Sequence, residues 1–342
     1  MRRVALTWAI SGLGVAAFSL ANLPLPWLLG PIFACLIAGL VGIELRGVPA
    51  LNTAMRAVLG VAIGASLSWA VVVTMPSLWP TLVLIPVLIL LAAAIGLPYF
   101  QRVWEFDFAT SYYAAMPGGL QDMLVFGEQA GGDVRALSLI HATRVMLIVT
   151  TLPFLLEWVW DIDLSNPPGA SAAAIPAVQL GLMVFAGIVG WKIATMVGLF
   201  GASILGPMIA AGALSIGGVL LHRPPAEAIW AAQFVIGMGV GAKYSGVTGT
   251  EVRRDVAAAF GYCLILLILA AGFTEVVILA GLAPPLDALL AFSPGGQAEM
   301  TVLALISGAD VAFVVTHHIL RIVVVIIGAP VAARFVRDRS RD

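Results

Sequence analysis

Apolar stretches of about 20 residues follow one another along the whole chain of 342 residues, with short polar or Gly- and Pro-rich turns between them. A helix rises about 1.5 Å per residue, so about 20 apolar residues cross a hydrocarbon layer roughly 30 Å thick. The pattern therefore predicts an all-α polytopic membrane protein. Its apolar segments fall at about 4–21, 27–44, 53–74, 78–100, 106–127, 134–157, 176–197, 203–221, 226–248, 254–282, 286–307 and 311–334.

The last six segments repeat the first six about 177 residues later. The sequence Pro117-Gly118-Gly119 returns as Pro294-Gly295-Gly296, and the register holds on both sides of it. The other matched pairs are Gly60 and Gly237, Gly64 and Gly241, Asp133 and Asp310, His141 and His318, and Arg144 and Arg321. We therefore predict two membrane repeats, 1–160 and 175–342, joined by a polar external linker at 161–174.

The fifth segment of each repeat carries the Pro-Gly-Gly sequence at its centre. Proline removes a backbone donor, and glycine has a poor helix propensity. Broken backbone at membrane depth is tolerated only where protein buries it or where it lines a cavity. We expect a re-entrant hairpin or a pair of half-helices at both places.

The distribution of charge bears on the orientation of the repeats. If the fifth segments do not cross, each repeat has five crossings, the second repeat is inverted, and only Arg223 lies outside when the N-terminus is inside. Twelve crossings would move four more basic residues outside, namely Arg135, Lys192, Arg253 and Arg254. Because cytoplasmic loops favour Lys and Arg, we expect two inverted repeats of about five transmembrane helices with one re-entrant or broken helix each, and cytoplasmic termini.

The composition excludes several classes of function. The chain is 61% hydrophobic and 10% charged, with a mean hydropathy of +1.06. The net charge is −1 and the sequence has no long Lys/Arg-rich stretch, which argues against a nucleic-acid partner. Cys35 and Cys263 lie in apolar segments without metal or disulfide spacing, so we expect neither a metal nor another cofactor.

The two breaks are the predicted substrate site. An unwound segment exposes backbone N–H and C=O groups and the ends of short helices, which bind ions without the help of charged side chains. The predicted substrate-binding residues are Pro117, Gly118, Gly119, Gln121, Pro294, Gly295, Gly296 and Gln297.

Charged residues near the breaks are the candidates for ion coupling. They are Asp122, Glu299, Arg144, Arg321, His141 and His318. Intramembrane charge usually faces a bundle interior or a water-filled path, so we favour a functional role for both carboxylates over a fixed packing role. The carboxylates are also the expected counter-ions of the two arginines, although an arginine could clamp a substrate carboxylate instead. Each histidine lies one turn from its arginine and could relay protons or only pack.

Other matched positions favour structural roles. Asp133 and Asp310 open the last helix of each repeat and are expected to be N-caps. The Gly60-x-x-x-Gly64 spacing and its repeat are typical of close helix packing. Lys243 has no basic counterpart in the first repeat, and we expect its side chain to reach the cytoplasmic interface.

Four motifs carry a family resemblance. They are Pro26–Pro31, Ala115–Gly119, Ser203–Pro207 and Phe292–Met300. Together they resemble the membrane AbrB family, also called the AbrB duplication family, over almost the whole chain. The resemblance implies a multi-pass protein of the bacterial inner membrane; members carry the labels ammonia monooxygenase and regulator of aidB expression, and neither label supplies a mechanism. The architecture is also similar to that of sodium/glutamate and citrate symporters, in which paired Gly-Gly re-entrant loops surround the substrate.

We therefore expect a secondary transporter of a small anionic or zwitterionic metabolite, bound between the two Pro-Gly-Gly segments. Its partners would be the lipid bilayer, a coupling proton or sodium ion, and a second copy in a homodimer. The alternative is a membrane-embedded regulator that acts on gene expression, most simply through a transported metabolite. A monooxygenase is disfavoured because the four histidines form no evident metal set, and we expect no catalytic residues.

Overall fold

The computed structural model describes residues 2–67, 69, 73, 75–164, 169–199 and 201–339. Over these residues the chain is helical and contains no β-strand. The helices of eight or more residues in the first predicted repeat are α1 (Arg2–Leu20), α2 (Pro26–Leu40), α3 (Pro49–Gly64), α4 (Leu84–Pro98), α5 (Phe108–Ala115), α6 (Leu120–Gln129) and α7 (Val134–Trp160). Those in the second are α8 (Ala177–Met196), α9 (Ala202–Ile216), α10 (Ala226–Gly241), α11 (Ala257–Leu279), α12 (Pro285–Phe292), α13 (Gln297–Ser307) and α14 (Val311–Arg339).

Within the described residues, six helical stretches are long and apolar enough to cross a membrane. They are Arg2–Leu20, Pro76–Val103, Val134–Trp160, Ala177–Met196, Gly249–Leu279 and Val311–Ala333. Shorter apolar helices include α2, α9 and α13. The prediction of an all-α, multi-pass membrane protein is confirmed.

The third segment of each repeat forms a shorter helix than its apolar run suggested. The predicted ranges are 53–74 and 226–248, but α3 ends at Gly64 and α10 ends at Gly241. Residues 68, 70–72 and 74 of the first range lie outside the described residues. Beyond α10 the chain forms a short 3₁₀ turn, Ala242–Tyr244. Hydropathy does not mark the turn that ends a helix, which explains the overestimate.

The chain divides into two compact units, and each unit combines parts of both predicted repeats. Unit 1 contains Met1–Pro76, Thr150–Gly246 and Ala298–Ala312. Unit 2 contains Ser77–Val149, Val247–Gln297 and Phe313–Asp342.

Unit 1 is built on glycines that bring helices of different repeats into backbone contact. A Cβ atom added to Gly64 would overlap the α9 backbone at the carbonyl of Met208, and Gly60 meets α9 in the same way. In the second repeat, a Cβ added to Gly241 would lie 2.6 Å from the carbonyl oxygen of Ile32 in α2. The predicted role of the Gly-x-x-x-Gly spacing in close helix packing is confirmed.

Unit 2 contains both Pro-Gly-Gly sequences and the arginine-bearing parts of α7 and α14. Within it, α4 and α11 pack closely at Gly96, where an added Cβ would lie 2.6 Å from the hydroxyl oxygen of Tyr262. The Tyr99 hydroxyl donates to the carbonyl of Ala258 at 3.0 Å. Unit 2 is therefore the unit that positions the breaks.

Candidate functional site

The backbone leaves the helical conformation at both Pro-Gly-Gly sequences. In the first repeat α5 ends at Ala115 and α6 begins at Leu120, with extended backbone at Met116 (ψ 126°) and Gly119 (ψ 136°). In the second, α12 ends at Phe292 and α13 begins at Gln297. The predicted breaks in the fifth segments are confirmed.

Arg144 of α7 binds the carbonyl groups of the first break. Its Nη1 donates to the carbonyl of Met116 at 3.1 Å, and its Nη2 donates to that of Gly118 at 2.8 Å. The side chain is only 3% exposed. A planar guanidinium satisfies two acceptors at once, so it fixes the backbone on both sides of Pro117.

Arg321 of α14 makes the same pair of bonds at the second break. Its Nη1 donates to the carbonyl of Ser293 at 2.8 Å, and its Nη2 donates to that of Gly295 at 2.7 Å. Arg321 is also 3% exposed. All four carbonyl partners and both arginines match at the 177-residue offset. Both repeats therefore contain the same pair of hydrogen bonds from a buried arginine to the break, which we call the arginine clamp.

Among the described residues of unit 2, no ion pair joins a carboxylate to Arg144 or Arg321. Glu299 lies in unit 1, so its expected role as a counter-ion stays a prediction. A guanidinium donates to carbonyl oxygens in the same geometry as to carboxylate oxygens, and here the peptide backbone supplies the acceptors.

The two histidines support the helices that lead into the breaks. Nε2 of His141 lies 3.1 Å from the carbonyl oxygen of Tyr113, and Nε2 of His318 lies 2.9 Å from that of Leu290. A carbonyl only accepts, so both histidines carry a proton on Nε2. Both are fully buried on the same helix as their arginine. Each His–Arg pair therefore holds the last turn of one short helix and the break that follows it.

Cationic groups lie at the breaks together with the carboxylate of Asp122 in the first turn of α6. Two buried guanidinium groups lie in unit 2 without a carboxylate partner among its described residues. The helices α6 and α13 start directly after the breaks, and the first turn of a helix presents N–H groups and a partial positive charge. Because the arginines occupy the break carbonyls, the remaining backbone groups favour an anion.

The other predicted site residues lie on or directly after the breaks. Pro117, Gly118, Pro294 and Gly295 are buried, while Gly119, Gly296 and Gln297 are partly buried. Asp122 lies in the first turn of α6, and a methyl group at Gly119 would overlap its carboxylate. Glu299 lies in the first turn of α13 and is 8% exposed. Gln121 also begins α6, but its side chain lies outside the part of the chain that the structure describes.

Asp133 has the predicted structural role. Its Oδ1 accepts bonds from the backbone N–H groups of Arg135 at 2.9 Å and Ala136 at 3.1 Å, which caps α7. Its own N–H donates to the hydroxyl of Thr110 in α5 at 2.8 Å. The N-cap prediction for Asp133 is confirmed, and Asp310 directly precedes α14.

Sequence reasoning missed Tyr262 of α11. Its hydroxyl lies 2.9 Å from the carbonyl oxygen of Ala92 and 2.7 Å from that of Ala115, the last residue of α5. It therefore ties α11 to the end of the helix that precedes the first break. The available signal was a single tyrosine in a long apolar run, because a buried tyrosine hydroxyl usually finds a partner.

No group of three or more His, Cys, Asp or Glu side chains among the described residues is placed to hold a metal ion. Cys35 and Cys263 are both buried and have free thiols.

Comparison with known proteins gives the family. A family model described as "Transition state regulatory protein AbrB" matches residues 27–337. The chain is 26% identical to "Uncharacterized protein YhjN" of Bacillus subtilis (strain 168), over 93% of this chain and 89% of that protein. It is 24% identical to "Putative regulator AbrB" of Escherichia coli (strain K12), over 93% and 92%. The match over most of the chain, together with its apolar helices, shows that this protein belongs to the AbrB family of membrane proteins.

Proposed function

We propose that the protein is a secondary transporter of a small anionic or zwitterionic metabolite. Two inverted repeats would bring the Pro-Gly-Gly segments, as re-entrant or half-helical elements, to one substrate site near the middle of the membrane. The protein would work as a homodimer in the bacterial inner membrane, with both termini in the cytoplasm.

The observation that carries this proposal is the matched pair of clamped breaks. The buried guanidinium groups of Arg144 and Arg321 donate hydrogen bonds to the carbonyls of Met116, Gly118, Ser293 and Gly295. Desolvating a guanidinium costs several kcal/mol, roughly, and a protein that needed only a packed interior could use apolar residues there. A buried arginine occurs at the matched position of both repeats, which is best explained by a need to hold the unwound backbone in one conformation.

The charge balance favours an anionic ligand group. The clamp adds two cations without a carboxylate partner among the described residues of unit 2. A substrate carboxylate near the first turns of α6 and α13 would oppose these cations, next to Asp122 and Glu299, which each supply one carboxylate there. A cationic substrate would add a third positive charge to the same region.

Asp122, Glu299, His141 and His318 are the proposed coupling residues. Glu299 is buried in the first turn of α13, and Asp122 holds the matched position in α6. Nδ1 of His318 is buried without a hydrogen-bond partner among the described residues. Because Nε2 of that ring already donates to a carbonyl, Nδ1 has a free lone pair that could accept a proton.

Flux into proteoliposomes tests the transport proposal. Labelled carboxylates and amino acids would be offered under an imposed proton or sodium gradient. We expect gradient-driven uptake of at least one anionic or zwitterionic compound, and at least tenfold lower uptake in Asp122→Asn or Glu299→Gln. The matched control is Asp161→Asn in the linker, where φ is 53° and asparagine is well tolerated. Unchanged flux in both site variants would assign the carboxylates a structural role.

A regulatory function is the second candidate, favoured by the name of the Escherichia coli relative. An effect on gene expression would then follow from the movement of a metabolite across the membrane. Capture of a stable complex with a soluble regulator, combined with absence of flux for every compound offered, would favour direct regulation instead.

A further inference from the structure

Lys243 provides a cation in unit 1, outside both breaks. It lies in the short 3₁₀ turn Ala242–Tyr244, between the end of α10 and the membrane-spanning stretch Gly249–Leu279. The residue is exposed, and among the described residues of unit 1 no ion pair joins it to a carboxylate. Its ammonium group has three donors and no acceptor, so water or a ligand has to supply the acceptors.

Arg56 of α3 is a second cation on the path to Lys243. Asn52 lies one turn earlier on the same face of α3, and its Nδ2 donates to the carbonyl of Val235 in α10 at 3.3 Å. A Cβ atom added to Gly239 would lie 2.6 Å from the same amide nitrogen. This face of α3 therefore packs along the last turns of α10, which lead into the turn that carries Lys243.

Two charged side chains of unit 1 act on the amine of Lys243. The surrounding protein, which replaces part of the hydration of the amine, and the neighbouring cation of Arg56 lower the pKa of Lys243 to about 8. The carboxylate of Glu299 opposes this shift, although no ion pair joins the two residues. With Lys243 protonated, two cations and one carboxylate leave this group with a net positive charge. An anion between the two cations would be attracted by both.

The matched positions of the other repeat hold uncharged side chains. At the 177-residue offset, Arg56 corresponds to Gln233 and Lys243 corresponds to Ser66. The hydroxyl of Ser66 donates to the carbonyl of Ala62 at 2.8 Å and so remains within its own turn of the chain. The packing that the two repeats share therefore does not require charge at these positions, and adjacent like charges repel each other. A ligand of opposite charge explains the pair better than packing does.

We infer that Arg56 and Lys243 form a binding site for an anionic oxygen group, a carboxylate or a phosphate. Arg56 is partly exposed and its Nε is buried, so its two Nη groups are the donors that a ligand can reach, together with Nζ of Lys243. The same group occurs in a soluble metabolite and in the headgroup of a phospholipid. The inference concerns binding alone and does not rest on the proposed transport activity.

Acetylation of lysine tests the site, because the chain has two lysines, Lys192 and Lys243. The full-length protein in detergent would be treated with an N-hydroxysuccinimide acetate ester at constant ionic strength, and mass spectrometry would follow each lysine. Succinate and phosphate are the probes, and succinamide is the neutral control. We expect at least one of the two anions to slow the labelling of Lys243 at least tenfold. Lys192 in α8 is exposed and should keep its rate.

Two variants connect the protection to the cation pair. Arg56→Gln introduces the side chain of the matched position and should raise the half-protecting concentration of the anion at least tenfold. Arg223→Gln removes an exposed arginine that precedes α10, at the opposite end of that helix, and should leave the concentration unchanged. If Arg56→Gln does not fold, Lys243→Ser should bind the same anion at least tenfold more weakly than the wild type in calorimetry.

Nanodiscs of phosphatidylglycerol identify the source of the anion. Protection of Lys243 without an added anion, relieved by Arg56→Gln, would assign the site to a lipid phosphate. Protection that requires added succinate or phosphate would assign it to a soluble anion. Three results would overturn the inference: equal protection by succinamide, no protection by either anion or by lipid, and an effect of Arg56→Gln no larger than that of Arg223→Gln.

Discussion

The arginine clamp makes a prediction that can be checked within one molecule. Replacing Arg144 by Lys keeps the positive charge, but an ammonium group cannot span the two carbonyls of Met116 and Gly118 as the guanidinium does. One charge-assisted hydrogen bond is lost, worth about 1.5–3 kcal/mol. At about 1.4 kcal/mol per factor of ten, local opening of the first break should become about 10- to 150-fold more frequent.

Hydrogen–deuterium exchange measures that opening directly. Peptides that cover residues 113–123 should exchange faster in Arg144→Lys, whereas the matched peptides at 290–300 should keep their wild-type rate. Arg321→Lys should give the reverse pattern, because Arg321 binds the carbonyls of Ser293 and Gly295. Equal acceleration at both breaks, or no change at either, would refute the view that each arginine holds its own break.

Three further changes test helix packing in unit 1 and the contacts of Tyr262 and Asp133 in unit 2. Gly60→Ala should lower the thermal unfolding temperature because the added methyl group meets the backbone of α9, whereas Gly181→Ala in α8 meets no atom within 4 Å and should maintain or raise it. Tyr262→Phe should cost about 1–3 kcal/mol of unfolding free energy, measured by denaturation in mixed micelles, since the two buried carbonyls that share its single hydroxyl proton lose that donor; an unchanged value would contradict that role. Asp133→Ala should cost about 1 kcal/mol in the same assay, and Asp133→Asn clearly less, because asparagine also caps helices.

The sequence was sufficient to predict features that depend on local backbone chemistry. Proline and two glycines in an apolar segment predicted the breaks after Ala115 and Phe292, and both are present. The Gly-x-x-x-Gly spacing predicted close helix contacts because only glycine lets two backbones approach so closely. An aspartate directly before a helical run predicted the cap at Asp133.

Features that depend on the partner of a polar group could not be predicted in the same way. A carboxylate was the expected partner of Arg144 because a sequence identifies the charged side chains. Its actual partners are backbone carbonyls, which every residue has, so the sequence does not identify the ones that bind. The two compact units also combine both repeats, and such long-range grouping leaves no mark on hydropathy.

The exchange of helices in unit 1 has a consequence for the origin of the chain. Gly64 of α3 finds its neighbour in α9, and Gly241 of α10 finds its neighbour in α2, so neither half supplies the surface that its own third helix requires. A gene of half this length would have encoded a polypeptide that completed its interior only by pairing with an identical molecule. Fusion of two such genes would have turned an association between subunits into the interior of a single protein.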